Sequence, residues 1–349
     1  MTRGDLVESV HAVAACAADA DGRVAFALGD VDVPIYLRSA AKPFIAAAIV
    51  AGGAAERFGF DDREIAIIAA SHGGEPFHVD CVRGILRKIG RTEADLQCGA
   101  HAPSYEPAAR ALAAAGIPFT AIHNNCSGKH AGILALCAVL GADITTYLEP
   151  SNPAQRAILA LCARMTGDDP LAWPIAIDGC GIPVFATPLR RGARAFARLA
   201  SLSGIADADA EALLRVRAAV QANPLYLAGT GRFDTDLIVA TGGAVVGKAG
   251  AEGVHGDALL AQGLGLALKV IDGHRRATNP ATIALLTALG ALDQTACRAL
   301  AGHARPVVRN VAGHAVGAIG AVMPRIPGAD TFRWIQASTE EELRSPTRG

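Results

Sequence analysis

Residues 6–28, LVESVHAVAACAADADGRVAFAL, contain the signal that decides the fold. Two apolar segments, 6–15 and 23–28, flank the turn-forming sequence Asp19-Ala-Asp-Gly22, a pattern typical of an antiparallel hairpin. A short strand or edge follows at 33–37, and β-type patterns return in the last third of the chain. The strands predicted there cover residues 237–246, 253–257, 264–271, 306–311 and 316–323.

The middle of the chain has helical patterns. The segment Arg38-Ser-Ala-Ala-Lys-Pro43 opens a helix that runs to about residue 50, with Pro43 in the first turn, where proline is tolerated. Further helices are predicted at 62–70, 76–89, 107–115, 128–140, 152–165, 191–200, 208–221, 280–289 and 293–301. Strands at both ends with helices between them predict an α+β fold, a mostly antiparallel sheet flanked by helices.

We expect residues 1–349 to form a single domain, because no repeat, low-complexity tract or charge block interrupts the chain. The glycine-containing crossing at 223–236 could separate two lobes that share one active site. The eight cysteines include no C-x-x-C pair, so most are expected to be buried and reduced.

Composition excludes several classes of protein. Hydrophobic residues make up 51% of the chain, but no stretch approaches the roughly 18 strongly apolar residues that span a membrane. The 32 Lys+Arg balance 33 Asp+Glu, which excludes the broad basic face of a nucleic-acid-binding protein. Acidic residues near the N-terminus occupy the place of the apolar stretch of a secretion signal. A cytoplasmic location is therefore expected.

Lysine is rare in this chain, with five lysines against 27 arginines. Lysine, unlike arginine, loses its proton when it is buried or placed near another cation. In Ser39-x-x-Lys42 the two residues share one helix face, so the amine can reach the hydroxyl as a base. Lowering the lysine pKa by about three units costs roughly 4 kcal/mol, which needs burial or a second cation. The alternative is a helix cap followed by a solvated lysine.

A second serine and lysine occur in small-residue motifs. Ser71 lies in Ala70-Ser-His-Gly-Gly-Glu-Pro76, where small neighbours leave room for a ligand to approach. The alternative is a turn between helices with Ser71 and Glu75 as caps. Lys248 lies in Gly247-Lys-Ala-Gly250 at the end of a strand-like segment. There it could lie beside a substrate and act as a second cation near Lys42, or occupy an ordinary turn.

Two cysteine motifs indicate a possible metal centre. Cys126 and Lys129 lie in His123-Asn-Asn-Cys-Ser-Gly-Lys-His130, immediately before an apolar helix whose start favours an anion or oxyanion. A cysteine and a neutral lysine three residues apart could share a metal, and Cys180 in Asp178-Gly-Cys-Gly-Ile-Pro183 supplies another thiol. The alternative is a capped helix with an inert thiol.

The order of these motifs resembles that of serine β-lactamases and penicillin-binding proteins. The fuller pattern more closely resembles the Rhizobium-type L-asparaginases, the asparaginase II or thermolabile asparaginase family. Gly73 departs from the serine expected in many members, whereas His72 and Glu75 are present. The motifs that carry the resemblance are Arg3-Gly4…Glu8-Ser9-x-His11, Arg38-Ser39-Ala-Ala-Lys42-Pro43, Ser71-His72-Gly-Gly-Glu75, Asn125-Cys126-Ser127-Gly128-Lys129-His130, Asp178-Gly179-Cys180-Gly181-Ile182-Pro183 and Gly247-Lys248-x-Gly250.

The resemblance implies a β-lactamase-like fold, a homodimer, and hydrolysis of L-asparagine to L-aspartate and ammonia. It implies two serine–lysine tandems, Ser39 with Lys42 and Ser71 with Lys248. The zinc ligands it implies are Cys126, Lys129 and Cys180. The groups it implies for the α-carboxylate and amine of the substrate are Arg38, His130 and Asp178.

The mechanism expected from these residues begins with neutral Lys42 taking the Ser39 proton while Ser39 attacks the side-chain amide. Ammonia leaves after protonation through Ser71 and Lys248, and water hydrolyses the aspartyl ester. Zinc would orient the substrate. Which serine attacks stays open. A serine–lysine amidase or acyl transferase acting on glutamine, a peptide or a β-lactam stays open too, as does a non-catalytic asparagine sensor.

Overall fold

The computed structural model describes residues 1–169, 172 and 174–323; residues 324–349 of the expected domain lie outside the described part. No helix in those ranges is long and apolar enough to cross a membrane.

A 3-10 turn, Arg38–Ala41, precedes the first helix. The strands are β1 (Thr2–Arg3), β2 (Leu6–Val7), β3 (Val13–Ala18), β4 (Val24–Leu28), β5 (Pro34–Tyr36), β6 (Ile175–Ile177), β7 (Pro183–Pro188), β8 (Val245–Ala249), β9 (Val254–Leu259), β10 (Leu264–Val270), β11 (Val307–Arg309) and β12 (Ala315–Ala318). The helices are α1 (Lys42–Ala51), α2 (Ala54–Arg57), α3 (Asp62–Ile68), α4 (Pro76–Lys88), α5 (Glu106–Ala114), α6 (Ser127–Leu140), α7 (Pro153–Thr166), α8 (Leu189–Ser201), α9 (Asp207–Ala222), α10 (Pro224–Leu227), α11 (Phe233–Ala240), α12 (Thr278–Ala288), α13 (Gln294–Ala299) and α14 (Ala301–Ala304).

A five-stranded antiparallel sheet joins the two ends of the chain. Its strand order is β4-β3-β10-β9-β8, and β3 pairs with β10 from Val13 opposite Val270 to Ala18 opposite Gly265. The hairpin predicted at the N-terminus is present, although its first strand begins at Val13 rather than at residue 6. Leu6 and Val7 are exposed and belong to a separate two-stranded ribbon. The α+β fold with an antiparallel sheet flanked by helices is confirmed.

Both faces of this sheet are covered. Ala14, Cys16 and Ala18 belong to the apolar core that contains α1 and α8, whereas Ala15 and Ala17 belong to a second core that contains α12. This division follows from the alternation of side chains along a strand. Small side chains let α8 approach closely, because a Cβ at Gly265 would lie 2.1 Å from the Ala193 carbonyl oxygen.

Helix α1 is buried from its first residue. Its sequence, KPFIAAAIVA, has no polar face, and residues from Lys42 to Ile49 are buried among α6, α7 and α9. A helix that is apolar on all sides lies inside the protein. The fold therefore places the Lys42 amine in the core and away from solvent.

The strand predicted at 237–246 is wrong. Residues 233–240 form α11, and β8 begins only at Val245. Asp234 and Asp236 occupy the first turn of α11, where carboxylates favour a helix. Gly242 and Gly243 then adopt positive φ angles and turn the chain into β8. The sequence did not predict β6 and β7, which form a three-stranded sheet with β5.

The contact between α8 and β10 predicts a large loss of stability for Gly265→Ala. The added methyl group would overlap backbone atoms of α8, which cannot rotate away, so we expect a loss of about 3 kcal/mol or more in unfolding free energy. The control is Gly302→Ala in α14, where the methyl group meets no heavy atom within 4 Å. Urea denaturation of both variants tests this, and equal unfolding free energies would contradict the packing.

Candidate active site

The Ser71 hydroxyl lies between two lysine amines. Ser71 follows α3 in the loop that leads to α4, and its backbone N–H donates to the Leu227 carbonyl oxygen at 3.0 Å. Its Oγ lies 3.0 Å from Lys42 Nζ and 2.9 Å from Lys248 Nζ. Both lysines are at most 1% exposed. Residues that are far apart in the sequence thus converge on one hydroxyl.

The Lys42 amine contacts several polar groups. Besides Ser71, its Nζ lies 2.5 Å from the Ala70 carbonyl oxygen and 3.5 Å from the Asn125 carbonyl oxygen, and it also interacts with the Cys126 sulfur. None of these groups is a carboxylate. Burial lowers the pKa of Lys42 and the nearby Lys129 lowers it further, whereas Cys126 and Cys180 oppose the shift. The pKa of Lys42 therefore lies below its ordinary value.

Lys248 differs because it has a carboxylate partner. Its Nζ lies 3.4 Å from Asp234 Oδ2 and 2.7 Å from the Ala249 carbonyl oxygen, on the edge strand β8. Burial lowers the pKa of Lys248 to about 8, although the Asp234 charge opposes the shift. Lys248 is consequently still protonated at neutral pH.

Three buried residues next to Lys248 were missed by the sequence analysis. Asp234 Oδ1 lies 3.3 Å from His255 Nε2, and His255 Nδ1 lies 3.1 Å from Asp257 Oδ2. Burial would raise the pKa of Asp234, but the charge of Lys248 and the hydrogen bond from His255 hold it well below its ordinary range. The signal that could have found this group is a histidine and an aspartate two residues apart on one face of an otherwise apolar strand.

The two glycines of the Gly-Lys-x-Gly motif make room for this arrangement. A Cβ at Gly247 would lie 2.5 Å from Asp257 Oδ1, and a Cβ at Gly250 would lie 2.7 Å from the Leu37 carbonyl oxygen. The first glycine therefore permits the buried histidine–aspartate pair. The second lets the end of β8 approach the turn that contains Ser39.

Ser39 lies on the wall of a cavity, in the 3-10 turn before α1. Charged residues on the same wall are Arg38, Lys42, Lys129 and Asp178. The Lys42 backbone N–H donates to the Ser39 carbonyl oxygen, but no hydrogen bond among the described residues joins the Ser39 hydroxyl to the Lys42 amine, which is directed to Ser71 instead. The structure thus brings Ser39 and Lys42 to one cavity without pairing them.

Arg38 holds a strained backbone at this cavity. Its φ is 53°, in the left-handed region that side chains other than glycine rarely adopt. The Arg38 Nε donates to Asp178 Oδ1 at 2.6 Å, which ties the turn to the loop after β6. Strain of this kind costs about 1–3 kcal/mol and clusters at functional sites.

Cys126, Lys129 and Cys180 converge beside this cavity. Lys129 Nζ lies 2.9 Å from Cys180 Sγ, and the two sulfurs lie within hydrogen-bonding distance of each other. The Cys180 hydrogen bond, with Lys129 nearby, holds the pKa of Cys126 well below its ordinary value. Burial would lower the pKa of Lys129, but the two sulfurs raise it.

This donor set fits a thiophilic ion such as zinc, which binds thiolates and nitrogen ligands. Lys129 fits only if it releases its proton on metal binding. Within the part of the chain that the structure describes, no three His, Cys, Asp or Glu side chains form such a cluster. The lysine is therefore an essential member of any metal site here.

His130 is buried beside these groups with one ring nitrogen unpaired. Its Nδ1 lies 2.8 Å from the Tyr147 hydroxyl, which itself accepts from the Gln97 backbone N–H. Among the described residues Nε2 has no partner. Burial holds the pKa of His130 well below its ordinary value, so the ring is neutral.

The motif at residues 3–11 lies apart from the serine–lysine group. His11 Nδ1 lies 2.6 Å from Asp272 Oδ2, and Arg276 donates to His11 Nε2 and to Ser9 Oγ. Arg3 forms an ion pair with Glu8 on the surface. Ser9 and His11 line a separate cleft, so this motif does not contribute to the serine–lysine group.

The chain matches the L-asparaginase II family over residues 1–321. No curated protein matches the chain. Crystal structures of a protein named Mglu are similar at 14% identity and a TM-score of 0.37. The form with tris and glutamate covers 80% of this chain and 59% of that chain, and a native form covers 81% and 65%. This chain thus spans less than two thirds of Mglu, and the TM-score is too low to support an argument.

The strain at Arg38 predicts an inverted order of stability for two substitutions. Arg38→Ala and Arg38→Gly both remove the ion pair with Asp178, but only glycine adopts a φ of 53° without strain. We expect Arg38→Gly to be about 1 kcal/mol more stable than Arg38→Ala in chemical denaturation. A glycine variant less stable than the alanine variant, as at an ordinary position, would show that the turn is unstrained.

Proposed function

This chain belongs to the L-asparaginase II family, and on that premise we propose that it hydrolyses the side-chain amide of L-asparagine to L-aspartate and ammonia by serine–lysine catalysis. The observation that carries the proposal is the convergence of two buried amines on Ser71, beside a cavity that Ser39 lines. The whole of residues 1–349 acts as one catalytic domain in this proposal.

The two lysines act in different charge states. A neutral amine has two N–H donors and one lone pair. Lys42 in that form donates to the carbonyl oxygens of Ala70 and Asn125 and accepts the Ser71 hydrogen. Lys248, as an ammonium, donates to Ser71 Oγ, to Asp234 and to the Ala249 carbonyl oxygen. The donors of both amines and the Ser71 hydroxyl are then all satisfied, and burial together with the Lys129 charge favours the neutral form of Lys42.

Ser39 is the nucleophile in this mechanism, because its hydroxyl lines the cavity whereas Ser71 lies behind it. Lys42 turns to Ser39 when substrate binds and takes its proton as Oγ attacks the amide carbon. Catalytic hydrogen bonds are often long before substrate binds. The proton passes from Lys42 through Ser71 to Lys248, which gives its own proton to the leaving nitrogen, and ammonia departs. Water then attacks the aspartyl ester with Lys42 again as the base, and the Ser39 oxygen takes the proton back as aspartate leaves.

The Arg38–Asp178 ion pair suits the zwitterionic end of asparagine. A guanidinium binds a carboxylate through two N–H groups, and a carboxylate binds an ammonium. Substrate would therefore exchange one ion pair for two, with the α-carboxylate on Arg38 and the α-ammonium on Asp178. His130 Nε2, which has no partner among the described residues, is a further hydrogen-bonding group for substrate.

The proposed reaction is compatible with a bound zinc ion. Cys126, Lys129 and Cys180 would hold the ion, which would supply a Lewis acid that orients substrate oxygen atoms. The homodimer and the cytoplasmic location remain predictions.

The reaction itself is tested by measuring ammonia release from L-asparagine and L-glutamine, with and without a chelator. We expect release from L-asparagine at a rate well above release from L-glutamine. Saturable binding of asparagine with no ammonia would indicate a sensor and contradict the proposal.

The roles of the two serines predict distinct outcomes for Ser39→Ala and Ser71→Ala. Both should lower kcat for asparagine by about 1,000-fold or more, because one removes the nucleophile and the other the proton relay. Ser151→Ala, at an exposed serine, is the control and should leave kcat unchanged. Mass spectrometry of acid-quenched enzyme should find the aspartyl ester on Ser39. An ester on Ser71, or near-normal turnover of Ser39→Ala, would refute the assignment.

The charge on Lys248 predicts an alkaline limb in the pH profile of kcat/KM. The pKa of Lys248 is about 8, so its proton, and activity with it, is lost as pH rises through 8. His255, with a pKa raised to about 9, is still charged there. Asp234→Asn removes the carboxylate that favours the ammonium, so the limb should move to lower pH by about one unit or more. An unmoved limb in a folded variant would show that Lys248 does not set it.

A further inference from the structure

Four ionisable side chains form a continuous buried line behind Ser71. Lys248 Nζ lies 3.4 Å from Asp234 Oδ2, Asp234 Oδ1 lies 3.3 Å from His255 Nε2, and His255 Nδ1 lies 3.1 Å from Asp257 Oδ2. Each of the four residues is at most 3% exposed. Asp257 Oδ1 has no partner among the described residues. The mechanism above uses Lys248 and Asp234 but gives no role to His255 or Asp257.

A buried line of ionisable side chains is an unfavourable way to fill a core. Burying each ion costs several kcal/mol before its partners compensate, and apolar residues of similar size often pack at least as well. Here the chain also provides space for it, because a Cβ at Gly247 would lie 2.5 Å from Asp257 Oδ1 and 2.9 Å from His255 Cε1. The glycine before the reactive lysine is thus fitted to the histidine–aspartate pair, which points to a role in the reaction.

We propose that His255 is a positioning residue for the reaction: by bridging Asp234 and Asp257, it sets how tightly Lys248 holds its proton. The inference rests on the proposed function. With His255 charged, the Asp234 carboxylate divides its attraction between two cations. Without the His255 charge, the Asp234 carboxylate attracts only Lys248, which then holds its proton more tightly.

Several titratable groups surround Lys248 and His255. Lys248 faces Asp234 on α11, Lys42 on α1 and Arg232 just before α11. His255 faces Asp234 on α11 and Asp257 on its own strand, with the Phe233 ring against it. Burial would lower the pKa of His255, but the two carboxylates raise it to about 9. The ring is therefore a cation at the pH where Lys248 titrates.

The test is a pH titration of the full chain without substrate, followed by NMR of lysine labelled with ¹³C at Cε. Five lysines give few signals, and Lys248→Arg assigns that of Lys248. His255→Gln should raise the midpoint of Lys248 by about one pH unit, and Asp234→Asn should lower it by a similar amount. His303→Gln is the matched control. His303 also pairs with an α11 carboxylate, Asp236 at 2.8 Å, and also contacts the Phe233 ring, but it does not touch the line.

Shifts in opposite directions, with no shift in the control, support the proposal. An unchanged midpoint in His255→Gln, or a fall as in Asp234→Asn, overturns it, because collapse of the line would move both variants the same way. If a variant does not fold, the titration curves of the unsubstituted protein test the proposal. His255 and Lys248 share Asp234, so the titration of each should show an inflection at the midpoint of the other, and independent single-site curves overturn the proposal. Failure of the unsubstituted enzyme to release ammonia would refute the proposed function instead, since the titration uses no substrate.

Discussion

Two buried amines meet one hydroxyl at Ser71, and the rest of the site depends on how they share charge. Two ammonium groups in contact with the same oxygen would repel each other in a medium that screens them poorly. Asp234 lies beside Lys248, whereas Lys42 faces carbonyl oxygens, a hydroxyl and the Cys126 sulfur. In the proposed mechanism Lys248 is the cation and Lys42 is the base.

The fold supplies this contact by packing that uses very small side chains. Alanines on β3 and glycines on β9 and β10 let α8 lie close to the sheet, and the fully apolar helix α1 is buried next to it. Lys42 begins that helix, Lys248 ends the edge strand, and Ser71 lies in a loop between helices. Larger residues at the glycines would separate elements whose reactive atoms must approach within 3 Å.

Much of this arrangement was predictable from local patterns. The alternating strands at both ends of the chain predicted the antiparallel sheet, and the rarity of lysine directed attention to Lys42, Lys129 and Lys248. The strand predicted at 237–246 was wrong, because β-branched residues outweighed the acidic first turn that starts α11. That error also concealed Asp234, whose role depends on contacts with residues distant in sequence.

The sequence predicted which residues belong to the site better than it predicted which side chains contact each other. Spacing of three residues on a helix predicts that Lys42 can reach Ser39, yet the tertiary structure directs the amine to Ser71. His255 and Asp257, two residues apart on an apolar strand, are only a weak signal, because the tertiary structure alone shows that both are buried.

The charge on the Lys42 amine at neutral pH is the most direct test of this account. Nitrogen-15 NMR of the lysine Nζ atoms at pH 7, with Lys42→Arg to assign the signal, measures it without substrate. We predict a neutral amine at Lys42 and an ammonium at Lys248. An ammonium signal from both would contradict the account, because Ser39 would then have no base.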